Sequence, residues 1–362
     1  MAAMSSTAPN LAPRRVVIFR ALMLGDMLCA TPALRAFREA WPQARISLIG
    51  LPWAEELVRR LDSVDDFEAF PGGPGFAEQP LPNPAHAFSF IQRMRSHRFD
   101  LAIQLHGSGH VSNALVARLG ARCNAGFAAP NAWFPVNDGG RFCAWPERGN
   151  EITRLLSLAG HLQLPLRGVA LDLPLKASDR ERAQQLVYAL KPYAVVHAGS
   201  QLASRRWRPD RFAAVADQLV QAGLSVVLTG TRGERHLVDC VAALMMHKAL
   251  NLCGKTDLWT LGAVLSSARL LVCNDTGLSH MAAALATPSV VVACGSDTSR
   301  WAPLDTRYHR VLWHDVSCRP CAYRDCPTDH ACAAGVSVQR VVSTALELVN
   351  ERAEIEGDPK NA

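Results

Sequence analysis

Short apolar, β-branched runs recur along this chain, and most are followed by a stretch with the hydrophobic period of a helix. This alternation predicts an α/β protein, because parallel strands are joined by crossover helices. Strands are predicted at residues 14–19, 44–50, 99–107, 193–199, 224–230, 270–275 and 289–295. Those of the second half end in Gly, Asp or Asn. Open parallel sheets bind ligands beyond the carboxyl ends of their strands, so we expect functional residues there.

The strand–helix pattern begins twice, which predicts two doubly wound domains in 362 residues. Residues 163–176 show no helical period and join the two halves. Ser178 and Glu181 have the spacing of a capping box that opens the next helix. We therefore expect four parts, namely a flexible arm (1–14), a first domain (15–170), a second domain (171–340) and a C-terminal helix with a tail (341–362).

Composition excludes a disordered chain, since 49% of the residues are hydrophobic and 19% are charged. The net charge is +6, and each half carries +3, with 17 basic and 14 acidic residues in 1–175 and 21 basic and 18 acidic residues in 176–362. This even spread argues against a nucleic-acid partner and suits phosphate-bearing substrates or an anionic membrane. The uncharged stretch 276–296 contains Gly and Pro and predicts a buried helix and strand, so we expect a cytoplasmic protein.

Four segments carry residues suited to chemistry. They are LGD at 24–26 with a later Pro32, HAGS at 197–200 followed by RRW at 205–207, TGTRGE at 229–234, and NDTGLSH at 274–280. In the last of these a strand gives way to a tight turn and a helix, whose free N–H groups and positive dipole end favour a phosphate. The alternative is that Asp275 or Thr276 merely caps that helix.

In combination these segments resemble glycosyltransferase family 9, the lipopolysaccharide heptosyltransferases. The resemblance rests on the DTGLSH block, on G-D-x4-T-P-A-L from Gly25 to Leu34, and on the H-x-G-S…R-W element, and it covers residues 14–345. It implies a GT-B fold, in which two Rossmann-like domains face each other across a cleft. The first domain would take the acceptor and the second the nucleotide-sugar donor.

The resemblance also implies residue roles. Asp26 matches the catalytic base, although a carboxylate at a helix start is by itself more typical of a cap. The implied donor-binding residues are Ser200, Gln201, Glu234 at the ribose, Thr256 near the adenine, Asp275, Thr276 and Gly277 under the diphosphate, and His280. His197 and Trp207 are expected to shape the wall of the site.

One position departs from the family pattern, because Arg205 stands where the family usually has Lys. Arginine keeps the positive charge that a departing phosphate needs, but it is larger and planar. The chain contains no Asp-x-Asp, so we expect a metal-independent reaction in which Arg205 and the helix N-terminus replace the cation. Direct displacement would invert the anomeric centre.

The expected donor is ADP-heptose, and the expected acceptor is a lipid-linked inner-core saccharide reached through peripheral contact with the inner membrane. Two alternatives stay open, a family-9 enzyme for another donor or glycan and a non-catalytic sugar-nucleotide-binding module. A nicotinamide oxidoreductase is disfavoured because residues 21–26 lack G-x-G-x-x-G.

Four of the eleven cysteines cluster in residues 318–332, which we call the cysteine segment. Cys318, Cys321, Cys326 and Cys332 supply the four sulfur ligands that a structural zinc requires, although their spacing is not that of paired zinc knuckles. A cubane iron–sulfur cluster and reduced thiols that pack a loop are the alternatives. No cofactor is expected for catalysis itself.

Overall fold

The computed structural model describes residues 11–79, 84–190, 192–321 and 323–357. The chain divides into two compact units, Met1–Pro174 and Leu175–Ala362. Residues 1–10 of the expected arm and residues 358–362 of the expected tail lie outside the described residues.

The first unit contains a six-stranded parallel sheet in the order β3-β2-β1-β4-β5-β6. Its strands are β1 (Arg15–Phe19), β2 (Arg45–Gly50), β3 (Asp66–Ala69), β4 (Leu101–Gln104), β5 (Cys123–Ala128) and β6 (Phe142–Ala144). Its helices are α1 (Leu24–Ala40), α2 (Glu55–Val58), α3 (Pro84–Ser96), α4 (Ser112–Arg118) and α5 (Glu151–His161).

The second unit repeats the design with the order β12-β11-β10-β7-β8-β9. Its strands are β7 (Tyr193–His197), β8 (Ser225–Leu228), β9 (Leu250–Asn251), β10 (Leu270–Asn274), β11 (Ser289–Val292) and β12 (His309–Leu312). Its helices are α6 (Ala177–Val187), α7 (Pro209–Gln221), α8 (Arg235–Leu244), α9 (Leu258–Ser266), α10 (Gly277–Ala284), α11 (Thr298–Trp301), α12 (Ala331–Ala334) and α13 (Val338–Gly357).

Both sheets confirm the predicted α/β class of two doubly wound units. In each sheet the first strand of the unit lies in the middle, and the chain winds outwards first to one side and then to the other. The switch points lie between β1 and β4 in the first unit and between β10 and β7 in the second. Open α/β sheets bind ligands beside such points.

A proline inside α1 explains part of the G-D-x4-T-P-A-L motif in structural terms. Pro32 has no N–H to donate to the carbonyl of Leu28, four residues earlier. The Thr31 hydroxyl donates to that carbonyl instead, at 2.8 Å. The same hydroxyl accepts the N–H of Asp172 at 2.9 Å, so this threonine also ties α1 to the end of the first unit.

The predicted capping box at the start of α6 is wrong by two residues. The N-cap is Lys176, and the side chain of Asp179 accepts the N–H of Lys176 at 2.8 Å. Asp179 is also buried and paired with Arg182 at 2.8 Å. Ser178 and Glu181 lie inside the helix.

The uncharged stretch 276–296 forms α10 and β11, as expected for a buried helix and strand. Among the described residues, no helix combines the length and the hydropathy that crossing a bilayer requires. The last helix, α13, contributes Val341, Val342, Ala345 and Leu348 to the core of the second unit.

Candidate active site

Four neighbouring strands of the second unit end near residues that the sequence assigns to the donor site. Ser200 follows β7, Glu234 follows β8, Thr256 follows β9 and the segment 275–277 follows β10. Because the sheet runs β10-β7-β8-β9, these residues follow one another along its carboxyl edge. The segments after β10 and β7 flank the switch point of this unit.

The turn after β10 forms the N-terminus of α10. Thr276 is the N-cap residue, and its hydroxyl accepts the N–H of Leu278 at 3.2 Å. The N–H of Asp275 donates to the carbonyl of Val292 in β11 at 3.1 Å. Thr276 therefore does cap the helix, and the positive end of the helix dipole lies at the carboxyl edge, where a phosphate would benefit from it.

A buried asparagine fastens the loop after β7 to this turn. Asn274 is fully buried, and its Nδ2 donates to the carbonyls of Ala198 at 2.7 Å and Gly199 at 3.3 Å. Its Oδ1 accepts the N–H of Trp207 at 2.9 Å. One side chain thus holds both ends of the loop 198–207.

Glu234 lies directly against Gly199. Its Oε2 accepts the N–H and the hydroxyl of Thr231 at 2.8 and 2.9 Å, while a Cβ at Gly199 would collide with Oε1. His197 lies beneath, with Nδ1 at 3.1 Å from the hydroxyl of Thr229. Burial lowers the pKa of His197, and the charge of Glu234 opposes this only in part. The Glu234 carboxylate is therefore held by its hydrogen bonds to Thr231, and it has room because residue 199 is a glycine.

Arg205 belongs to a loop that the cysteine segment holds in place. Ser204 donates its hydroxyl to the carbonyl of Tyr323 at 2.6 Å and its N–H to the carbonyl of Arg324 at 3.1 Å. Arg205 Nη2 donates to the carbonyl of Cys321 at 3.3 Å, and its buried Nε has no hydrogen-bond partner in the described part of the chain. Arg205 is therefore held beside the cysteine segment.

The next two residues support this loop from the other side. Arg206 Nε donates to the carbonyl of Ser200 at 2.9 Å. Trp207 is completely buried, and its indole N–H donates to the carbonyls of Ala333 at 3.1 Å and Val336 at 3.2 Å. Trp207 is thus a core residue, and the expectation that it shapes the wall of the site is wrong.

The remaining predicted donor residues differ in exposure. Gln201 is exposed, and Thr256 is half-buried just before Asp257, the N-cap of α9. His280 is buried in the first turns of α10, and its ring makes an edge contact with Trp301, with 6.3 Å between the centroids.

In the first unit, Asp26 is the third residue of α1, whose N-cap is Met23, so it is not the cap that its position could suggest. Its Oδ1 lies 3.9 Å from Nη2 of the fully buried Arg20. Arg20 also donates from Nε and Nη2 to the backbone carbonyl of Asp26, at 3.0 and 2.7 Å, and lies 3.4 Å from Glu151. The side chain of Asp26 is 24% exposed, so a substrate hydroxyl can reach it.

Residues 87–332 match the family model described as glycosyltransferase family 9 (heptosyltransferase). The chain belongs to glycosyltransferase family 9. It is therefore a glycosyltransferase, and its two sheets are the Rossmann-like domains of a GT-B fold.

Curated and solved proteins agree with this membership. Lipopolysaccharide heptosyltransferase 2 of Escherichia coli K12 is 26% identical over 331 residues, which cover 84% of this chain and 92% of that protein. A family 9 glycosyltransferase of Veillonella parvula superimposes with a TM-score of 0.78 at 19% identity, over 96% of this chain and 100% of its own. The Escherichia coli heptosyltransferase WaaC with ADP gives 0.64 at 19% identity, over 92% and 99%.

Two residues of this family 9 glycosyltransferase support the site although sequence reasoning gave them no role. Asn274 stands at the end of a buried strand and Arg20 directly after one, and a polar residue at such a position is the signal that could have found them. Neither residue is a candidate for a chemical role. Each binds backbone groups of or near candidate residues, namely the carbonyl of Asp26 for Arg20 and the loop 198–207 for Asn274.

The four cysteines of the cysteine segment differ in exposure and in their contacts. Cys321 and Cys332 flank Gly295, whereas Cys318 is exposed and Cys326 lies 3.6 Å from the hydroxyl of Thr328. In the part of the chain that the structure describes, no group of three or more His, Cys, Asp or Glu is arranged to hold a metal ion. The zinc hypothesis stays a prediction.

Proposed function

We propose that this enzyme transfers heptose from ADP-heptose to a lipid-linked inner-core saccharide of lipopolysaccharide, with inversion and without a divalent metal. One observation carries the proposal, namely the row of donor-type residues along the carboxyl edge of β10, β7, β8 and β9. The identity of the sugar is supported by the relatives, which are lipopolysaccharide heptosyltransferases.

The donor would bind along this row by its nucleotide and its diphosphate. The N-terminus of α10 at Thr276 and Gly277 supplies oriented N–H groups and a positive dipole end for the phosphates. Glu234 uses one carboxylate oxygen in its own cap, which leaves Oε1 for the ribose hydroxyls. Ser200 and Gln201 border the same loop, and Thr256, which follows β9, would lie on the adenine side.

The transfer itself is a single displacement. The acceptor hydroxyl attacks the anomeric carbon, the bond from that carbon to the β-phosphate oxygen breaks, and ADP leaves with the electron pair. The hydroxyl proton passes to the carboxylate of Asp26, which acts as general base. Attack opposite the leaving group inverts the anomeric centre.

The negative charge that develops on ADP would be stabilised by Arg205 and by the helix N-terminus, in the role that a metal ion plays elsewhere. Support comes from the anchoring of the Arg205 loop by the cysteine segment. Preorganised donors of this kind cost no reorganisation when the bond breaks.

The lipid-linked acceptor brings the enzyme to the cytoplasmic face of the inner membrane as a peripheral protein. A net charge of +6 favours that anionic surface. Nucleic acid is not a partner in this proposal.

The proposal is tested by transfer assays with ADP-heptose and deacylated inner-core saccharide, using wild type and Asp26→Asn. General-base loss should lower turnover by about 10²–10⁴, with ADP affinity measured by calorimetry within a few-fold of wild type. Asp210→Asn is the matched control, since Asp210 is also a first-turn carboxylate and pairs with the exposed Arg208 side chain. Near-normal turnover of Asp26→Asn would remove the base from the mechanism.

Thermal-shift measurements with ADP-heptose, UDP-sugars and GDP-sugars decide between donors. A rise in melting temperature with a UDP- or GDP-sugar but not with ADP-heptose would favour the alternative of another donor. Specific binding of ADP-heptose without any transfer would favour a non-catalytic binding module.

A further inference from the structure

The loop after β4 is held rigidly at the switch point of the first unit. The buried Gln104 donates from Nε2 to the carbonyls of His106 at 2.5 Å and Gly107 at 3.2 Å, and to the hydroxyl of Ser112 at 2.6 Å. Its Oε1 accepts the N–H of Phe127 in β5 at 2.9 Å. A loop fastened at this many points can present a side chain in a fixed direction.

The imidazole of His106 is fixed as well. Its Nδ1 accepts the backbone N–H of Ala21 at 3.2 Å, and its ring packs on Phe19 and Phe76 with centroid distances of 5.1 and 5.3 Å. Since Nδ1 is the acceptor, the proton of the neutral ring is on Nε2. Burial, together with the charge of Arg20, lowers the pKa of His106 to about 3, so the ring is neutral at physiological pH.

His106 and Asp26 are joined through one guanidinium. Arg20 donates from Nη1 to the carbonyl of Leu105, the residue before His106, at 2.6 Å. The same side chain donates to the carbonyl of Asp26 at 2.7 Å. The two loops that carry these residues follow β1 and β4, which are neighbours in the sheet. They flank the position where this fold binds a ligand.

The positive charge of Arg20 is matched by nearby carboxylates. Arg20 pairs with Glu151 at 3.4 Å and with Asp26 at 3.9 Å, and Arg154 lies 3.6 Å from Glu151. Two carboxylates thus already face the Arg20 guanidinium, and a further anion here would be repelled by them. A neutral oxygen therefore suits the donor on His106 better than a carboxylate or a phosphate does.

The loop also leaves room for a ligand. Gly107 has φ +64°, and a Cβ built on it would meet nothing within 4 Å. The space beside His106 is thus open at the carboxyl edge, although the ring itself is half-buried.

We infer that the Nε2–H of His106 donates a hydrogen bond to a hydroxyl or ring oxygen of the acceptor saccharide and holds it beside Asp26. This inference rests on the proposed transfer reaction, to which it adds an acceptor-binding residue. His106 takes no proton in the reaction. It orients the saccharide whose hydroxyl gives its proton to Asp26.

Two substitutions test the roles of the two ring nitrogens of His106 separately. His106→Asn keeps a polar group near Nδ1, which faces Ala21, but places no donor near Nε2. His106→Gln places an amide nitrogen near the position of Nε2. KM for deacylated inner-core saccharide, KM for ADP-heptose, kcat and the melting temperature are measured for both variants and for wild type.

We expect His106→Asn to raise KM for the acceptor about tenfold, the loss of one hydrogen bond, with KM for ADP-heptose within about twofold. His106→Gln should stay within about threefold of wild type for both substrates. A purely structural role would instead lower the melting temperature and impair both variants alike, which would overturn the inference.

Unchanged acceptor KM in both variants would also overturn it. A wild-type enzyme that transfers no heptose contradicts the proposed function itself, and the inference falls with it. Transfer by wild type with equal acceptor KM in all three proteins leaves the proposed function intact and refutes the role of His106 alone.

Discussion

Replacement of Asn274 by alanine should lower the stability of the second unit, because this side chain of β10 holds the loop 198–207. The amide makes three hydrogen bonds, to the carbonyls of Ala198 and Gly199 and from the N–H of Trp207, all in a region that excludes water. Alanine removes the partners of these backbone groups and cannot replace them.

The magnitude follows from the groups left behind. Each buried polar group without a partner costs roughly 1–3 kcal/mol. Trp207 is fully buried, so its N–H bears the full cost, and partial relaxation of the two carbonyls brings the total loss to about 3 kcal/mol. For a unit of this size each kcal/mol shifts the melting temperature by about 2–4 °C, so we expect a drop of about 6–12 °C.

The assay is thermal unfolding followed by circular dichroism, together with ADP binding by calorimetry. The protein should remain folded, because domains commonly have about 5–15 kcal/mol of stability. ADP affinity should also fall, since the loop 198–207 loses both of its fastenings to β10. Asn350→Ala is the matched control, since Asn350 is an exposed residue of α13.

Asn274→Asp sharpens the test, because it keeps the acceptor for Trp207 but turns a carboxylate oxygen towards two carbonyls. It should be at least as destabilising as alanine. A melting temperature within 2 °C of wild type for Asn274→Ala, by the same scale of about 2–4 °C per kcal/mol, would refute the reasoning.

Two further predictions concern the leaving group and the cysteine segment. Arg205→Ala should lower kcat by about 10²-fold, whereas Arg205→Lys should retain a larger share of the wild-type kcat, because lysine keeps the positive charge. Arg208→Ala is the control, since Arg208 pairs with Asp210, whereas the neighbouring Arg206 is bound to the carbonyl of Ser200. Equal kcat for Arg205→Ala and wild type would contradict this role. If the cysteine segment binds zinc, elemental analysis should find about one zinc per chain, and chelation should leave transfer intact. A stable, metal-free protein with four titratable thiols would rule the zinc site out.

Sequence reasoning located the middle of each sheet and missed the outer strands, which are the four edge strands and β5, next to the edge strand β6. β1, β2, β4, β7, β8, β10 and β11 coincide with predicted apolar runs, while β3, β5, β6, β9 and β12 were not predicted. Central parallel strands are buried on both faces and are therefore apolar throughout. Edge strands such as β9, with two half-buried residues, carry no such pattern.

In the candidate site, too, some residues could be predicted from the sequence and others could not. A turn residue after a strand can be identified from local sequence, which is how the segment 275–277 was chosen, whereas Asp26 was assigned its role by the family resemblance. Partners distant in the chain cannot be found in this way. The capping box failed for a related reason, since Asp179 is selected by burial and by Arg182 rather than by its spacing from a serine.

The close contact of Gly199 with Glu234 means that the residue types at these two positions depend on each other. Any side chain at position 199 would occupy the space of the Glu234 carboxylate. A relative with a larger residue at 199 therefore needs a shorter one at 234. The two positions should covary across the family, and an engineered change of nucleotide should begin by altering both together.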